Sequence, residues 1–261
     1  MKKIILIFLL SISLGFGSFA GTDGENSLSN NANSSNKDCF EKVNRATFTF
    51  NNVLDKAIFK PVAKLYRKLP SPVRTGFGNM VDNLSNLTTI PNNILQGNFL
   101  TATTNLARFG LNTTVGVLGI LDVASGAGFP EYVKEDYGQT LGVMGVEEGC
   151  YVVLPILGPS NVRDVAGTAL SLLGGDPWYN VTVRNDTQYF NESDYYVSRI
   201  TGGVDFRAKN LESLENLEKN AIDFYASVRS LYVQDRQQKI INSKKIIDTQ
   251  NDSDWEEIDT Q

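Results

Sequence analysis

The chain of 261 residues contains no histidine. That one absence removes the side chain most used as a general base and metal ligand, and with it every triad built on imidazole. Cysteine is almost missing as well, with only Cys39 and Cys150. Two thiols without histidine do not complete a metal site unless carboxylates help, so neither metal nor cofactor is expected. Positive charge is short too: 24 lysines and arginines against 29 aspartates and glutamates give a net charge of −5. Nucleic-acid binding rests on clustered positive charge, and no such partner is expected. Alternating strand patterns are scarce, which points to a mostly α body. A Gly158-Pro159-Ser160 step invites comparison with a hydrolase nucleophile, but Val162 stands where the second glycine of that motif belongs. The expectation is a protein that is not an enzyme.

What is present divides the chain into four stretches. Lys2 and Lys3 precede an apolar run from Ile4 to Leu10, and Ser18-Phe19-Ala20 offers a cleavage site, so residues 1–20 read as a signal peptide, with a retained membrane anchor as the other reading. Residues 21–37 are rich in Asn, Ser and Gly and read as a flexible linker. Residues 38–242 carry the helical body. Residues 243–261 read as a disordered acidic tail, which lacks the turn glycine of a calcium loop.

Within the body, Asp38 and Glu41 have capping-box spacing before a helical stripe of Phe40, Val43, Thr47, Phe50 and Leu54. Pro61 and Pro72 suit first helical turns, the second after Ser71 as N-cap, and the helix from Pro72 is expected to bury Val73, Phe77, Met80, Val81 and Leu84. Further helices are expected from Asn98 to Thr114 and from Ser160, as N-cap, to Gly174-Gly175. The second half shows two apolar stripes, 197–211 and 214–231, and whether Lys219-Asn220 separates them stays open. The glycine-punctuated apolar stretch Gly110–Pro130 suits close packing in lipid or a buried crossing with tight turns. The segment YVVLPILGPS, Tyr151–Ser160, is apolar yet too short to span a bilayer and is broken by Pro155 and Pro159. Cys39 and Cys150 permit one disulfide, or two small buried thiols.

Four blocks, taken in order, resemble a known family: FEKVNRATFTFNNVLDKAIFKPVA (40–63), NLARFGLNTTVGVLGILDVA (105–124), YGQTLGVMGVEEGCYVVLPILGPSNVRDVAG (137–167) and DFYASVRSLYVQDR (223–236). The chain is similar to the MlaA family, also called VacJ, of Gram-negative outer-membrane lipoproteins. The resemblance implies a ring-shaped helical body with amphipathic helices in the membrane plane around a central channel. It implies removal of mislocalised phospholipid from the outer leaflet, hand-over to a periplasmic MlaC-like carrier, and association with trimeric porins. It also implies a mobile hairpin over the channel mouth, built from Gly145, Gly149, Tyr151, Leu154, Pro155, Gly158 and Pro159, with Phe109 and Asn112 beside the channel. The rival for the hairpin is a loop packed in the core.

Head-group contacts are the functional reading of Arg163, Lys64 and Arg67; surface pairing and a solvated face are the plain ones. Three departures from the family pattern stand out. Gly21 occupies the position of the lipoprotein cysteine, so acyl anchoring is not expected. Cys39 and Cys150 replace prolines. The family proline near Leu87 is missing, with Pro91 four residues on. The rival function is a structural or adaptor protein of the envelope that binds porin without moving lipid.

Overall fold

Asparagine, where leucine would be usual, faces the interior of these helices. In the computed structural model, which describes residues 37–180, 183 and 191–258, helix α1 (Glu41–Leu54) buries only Asn44. A π-helical turn, Asp55–Phe59, leads directly into α2 (Lys60–Tyr66), and the Lys60 amide reaches back five residues to the Asp55 carbonyl. Pro61 stands in the first turn of α2, as expected, although the chain enters that turn already helical. It sits just after a widened turn, where the hydrogen-bond ladder is already shifted. The expected capping box does not form. Asp38 instead accepts from Asn44 Nδ2 at 2.7 Å and from the Tyr225 hydroxyl, while Glu41 pairs with Arg45 at 2.6 Å. Tertiary partners take the carboxylate that would have served as cap.

Helix α3 (Ser71–Leu95) follows Pro70, which leaves Ser71 inside the first turn rather than at the cap, with Pro72 beside it as expected. The stripe expected as its core is not the buried face: Met80, Val81 and Leu84 are only half-buried. Val73 and Phe77 are 43% and 40% exposed, and the buried face is Gly76, Gly78, Asn83, Asn86, Thr89, Asn92 and Asn93. The period is helical as read, but the polar face turns inward, where Asn83 donates to Thr113 and Asn93 accepts from Asn105, while Asn86 and Asn92 donate to carbonyls of their own helix. Helix α4 (Phe99–Thr114) starts where expected, with the Asn98 side chain accepting from the Thr101 amide at 3.2 Å. A tight apolar loop follows, in which Val117, Leu118 and Gly119 all have positive φ. A Cβ at Gly119 would overlap the Asn83 side chain, so this close approach requires glycine. The stretch 110–130 is no buried crossing: Val115, Val117, Leu118, Ile120 and Leu121 are exposed.

After the single turn α5 (Val123–Gly126) come α6 (Tyr137–Val143), capped by Asp136, and the only strands among the described residues. β1 (Tyr151–Leu154) pairs antiparallel with β2 (Gly158–Asn161), Tyr151 opposite Asn161 and Leu154 opposite Gly158. Helix α7 (Val162–Leu170) is capped by Asn161, whose side chain accepts from the Asp164 amide, so Ser160 belongs to β2 and is not the cap. A π turn ends it at Gly174, φ 110°, as the glycine pair predicted. Then follow α8 (Pro177–Tyr179), α9 (Glu192–Lys209), α10 (Leu211–Asn220) and α11 (Phe224–Ile258). The chain breaks after Asn220, where Ala221 is extended. Helix α11 does not stop at 242, where the acidic tail was placed. With no Gly or Pro after Gly203 to end it, it continues through Ile258. The signal-peptide and linker stretches lie outside the described residues.

Packing closes a circuit. α2 packs on α9, α9 on α3, α3 on α6, α6 on α11, α11 on β2, and β1 on α1, which runs on into α2.

Candidate functional site

The distribution of side chains is inverted. Among the described residues, twenty-four polar or charged side chains are buried against ten hydrophobic ones, and thirty-seven large hydrophobics are exposed. The exposed set runs from Phe50 on α1 through Phe99 and Leu100 on α4 to Val197 and Ile200 on α9 and Ile241 on α11. An exposed apolar surface of this extent marks a membrane or protein contact. No helix among the described residues is long and apolar enough to cross a membrane.

Many of the buried polar groups bond one another, although the Asn83, Asn86 and Gln96 side-chain oxygens have no partner among the described residues. Asn83 donates to Thr113 Oγ1 at 2.9 Å, Asn105 to Asn93 Oδ1 at 2.9 Å, and Thr140 to Asn92 Oδ1 at 2.6 Å. Gln96 and Gln139 both donate to Glu135 Oε2, and Ser243 of α11 donates to Glu135 Oε1. Arg236 joins α11 to two other helices: it meets Asp136 at 2.7 Å and Asp164 at 2.8 Å. Burial alone would raise the pKa of Asp136, but the Arg236 guanidinium holds its carboxyl below the usual range. Arg108, 3% exposed at its side chain, bonds Asp122 and the Pro130 carbonyl, and Asn112 donates to Asp122 while accepting from the Ala124 amide. Asn112 thus caps the turn after α4, beside the half-buried Phe109.

The hairpin is built on this framework. Tyr151 is wholly buried and makes edge contacts with Tyr225 and Tyr232, and Val153 is buried beside it. These two are core residues, so the base of the hairpin follows the packed-core reading. Two asparagines of α1, seven residues and thus two turns apart, hold the free edge of β1. Asn44 donates to Tyr151 O at 3.0 Å and accepts from Val153 N at 2.9 Å. Asn51 donates to Leu154 O at 2.9 Å and accepts from Ile156 N at 2.8 Å. Each amide does what a third strand would do. Sequence reading missed both, although their seven-residue spacing along the flank of the α1 apolar stripe was the available signal. Beyond the base, Pro155, Ile156 and Leu157 form an exposed tip, the last two 62% and 65% exposed. Gly145, Gly149 and Gly158 all have positive φ, as turn glycines do.

Cys39 and Cys150 are joined in a disulfide, with Cα atoms 5.6 Å apart, just ahead of β1. The residues read as head-group contacts have other partners. Lys64 pairs with Glu215 at 3.5 Å and Arg67 with Glu212, alongside Lys56–Glu218 and Lys60–Glu215, so the basic run of the π turn and α2 faces the glutamates of α10. The acidic period of α10, at 212, 215 and 218, answers the four cations, with Glu215 shared by Lys60 and Lys64. Arg163 is buried and meets Asp164 at 3.1 Å, as a pair inside the fold rather than on its surface. These contacts do not point to a lipid head group.

A cavity of about 390 Å³ lies between α3 and α9, with Asp82, Lys134, Arg199 and Asp205 beside Leu84 and Phe206 on its wall. It is charged on one part and apolar on another. Residues 36–239 match the family model described as MlaA lipoprotein. The chain belongs to the MlaA lipoprotein family. Relatives include a protein of Rickettsia bellii, 32% identical over 205 residues that make up 78% of this chain and 76% of the relative. Two are named intermembrane phospholipid transport system lipoprotein MlaA: one from Haemophilus influenzae, 30% identical over 82% of this chain and 83% of its own length, and one from Escherichia coli K12, 34% identical over 76% of each. A solved chain, from work on the structural basis for maintenance of bacterial outer membrane lipid asymmetry, superposes with a TM-score of 0.65 at 32% identity, covering 78% of this chain and 99% of that one. The mostly α fold expected from the sequence is the fold observed.

Proposed function

We propose that this protein is the outer-membrane component of a phospholipid transport system. In this reading it sits in one leaflet by its apolar exterior, takes up phospholipid mislocalised to the outer leaflet, and passes it through an amphipathic path to a periplasmic MlaC-like carrier, in company with a trimeric porin. One observation carries the reading: the inverted burial, with large hydrophobics outside and hydrogen-bonded asparagine, glutamine and arginine inside. In water such an exterior is costly at roughly 25 cal/mol per Å². Against acyl chains that cost vanishes, and helices that satisfy their own backbone groups are what a leaflet tolerates. The closed circuit of packed elements and the half-apolar cavity support a ring with a central path. The test is lipid carried through purification. In mild detergent the full chain is expected to retain phospholipid in near-stoichiometric amount. Purified protein strictly free of lipid, yet still bound to porin, would favour an adaptor role instead.

A further inference from the structure

Five charged side chains face the cavity between α3 and α9, and three of them are already engaged. Arg199 pairs with Asp176, and Lys209 pairs with Asp205 at 2.7 Å, where the Tyr66 hydroxyl also donates. The Asp82 carboxylate and the Lys134 ammonium make no hydrogen bond or contact ion pair among the described residues; each feels the other's charge only across the space, with Lys209 also acting on Asp82 and Asp136 on Lys134. Both are open to solvent by accessibility although protein surrounds them, as expected of side chains standing in a concavity. Burial pushes the Asp82 carboxyl up and the Lys134 ammonium down, so each charge is held at a cost that a ligand of opposite sign would offset.

We propose that this cavity recognises the head group of a zwitterionic phospholipid, with Lys134 meeting the phosphate and Asp82 the ammonium. The assignment rests on the transport reading and deepens it to a substrate class. A head group with only negative charge would satisfy Lys134 but face Asp82 and Asp205 across the same space. A soluble zwitterion would gain nothing from Leu84 and Phe206. Phe206 lines the cavity and is itself largely exposed, so it sets an apolar ring beside the charged wall where acyl chains would run. The volume falls within the usual range of small-ligand sites.

The experiment offers the full chain, purified in mild detergent and stripped by exchange, equal amounts of phosphatidylethanolamine and phosphatidylglycerol, and counts retained lipid by mass spectrometry. Wild type is expected to favour the ethanolamine lipid about tenfold, the effect of one hydrogen-bonded charge contact. Asp82→Asn should bring the ratio near one without loss of total lipid, and Lys134→Gln should lower retention of both. Water-soluble glycerophosphoethanolamine in a parallel arm should bind far more weakly than the lipid. Equal binding of the soluble compound would make this a site for a soluble zwitterion and overturn the lipid assignment. Retention of both lipids at a ratio that Asp82→Asn leaves unchanged would sink the head-group assignment while the transport reading stands. If wild type retains neither lipid, both fall together.

Discussion

At the scale of single residues, the fold depends on amides and guanidinium groups where most proteins depend on branched aliphatics. Asn44 is the clearest case, because it closes a backbone N–H and a backbone C=O of β1 at once. Asn44→Ala leaves both groups buried without partners and is expected to cost about 2–4 kcal/mol, read by denaturant unfolding in detergent. Asn51→Ala, at the more exposed end of the same edge, should cost less. A second expectation concerns acid. The Asp136 pKa is depressed, so the unfolded chain binds the proton more readily than the folded one. Its contribution is therefore present above about pH 4, the ordinary aspartate value, and is lost as pH falls through the lower folded value. Unfolding midpoints at pH 7, 5 and 3 should show the loss at the low end, and Asp136→Asn should flatten that loss. None of these partners was legible in the sequence. An asparagine on a helix gives no sign of which distant carbonyl it will meet, and Asp38, read as a cap from its spacing, was claimed by Tyr225 and Asn44 from elsewhere in the chain.

At the scale of elements, more could be read ahead. Asn98, the Gly174-Gly175 pair and the first-turn Pro72 mark helix ends through local geometry, and local geometry is what a sequence carries most directly. The direction of each amphipathic face was not legible, because periodicity shows that a helix has two faces and leaves open which one meets solvent, protein or lipid. The hairpin divides in the same way: its prolines and glycines announced a bend, but the burial of Tyr151 required knowing that α1 and α11 would cover it. The disulfide is an element-scale tether, linking the start of α1 to the base of the hairpin across 111 residues. Cys39→Ser with Cys150→Ser is expected to lower stability by up to about 4–5 kcal/mol in the chain-entropy account, measured as a shift in unfolding midpoint that reductant reproduces in wild type. The tip behaves differently. Ile156→Asp with Leu157→Asp changes exposed positions, so stability in detergent should move by about 0.5 kcal/mol or less. Binding to phospholipid vesicles should fall, since an ionised carboxylate is costly among acyl chains. Unchanged vesicle binding would place the tip away from lipid.

At the scale of the whole molecule, the chain is a helical body turned outward: apolar where it meets its surroundings, hydrogen-bonded within, and closed on itself through α1, α2, α9, α3, α6, α11 and the hairpin. Lack of histidine and scarcity of charge of one sign pointed away from several functions, but only the four family-like blocks pointed toward one. The claim that matters is that this inverted body clears phospholipid from the outer leaflet. The direct measurement is surface-exposed phospholipid in a Gram-negative strain deprived of its own MlaA-family protein and supplied with this chain, with protein level and outer-membrane location verified. The account predicts that surface phospholipid falls to the level of the parent strain. Surface phospholipid that stays at the level of the deprived strain, with the protein abundant and correctly placed beside porin, would contradict it.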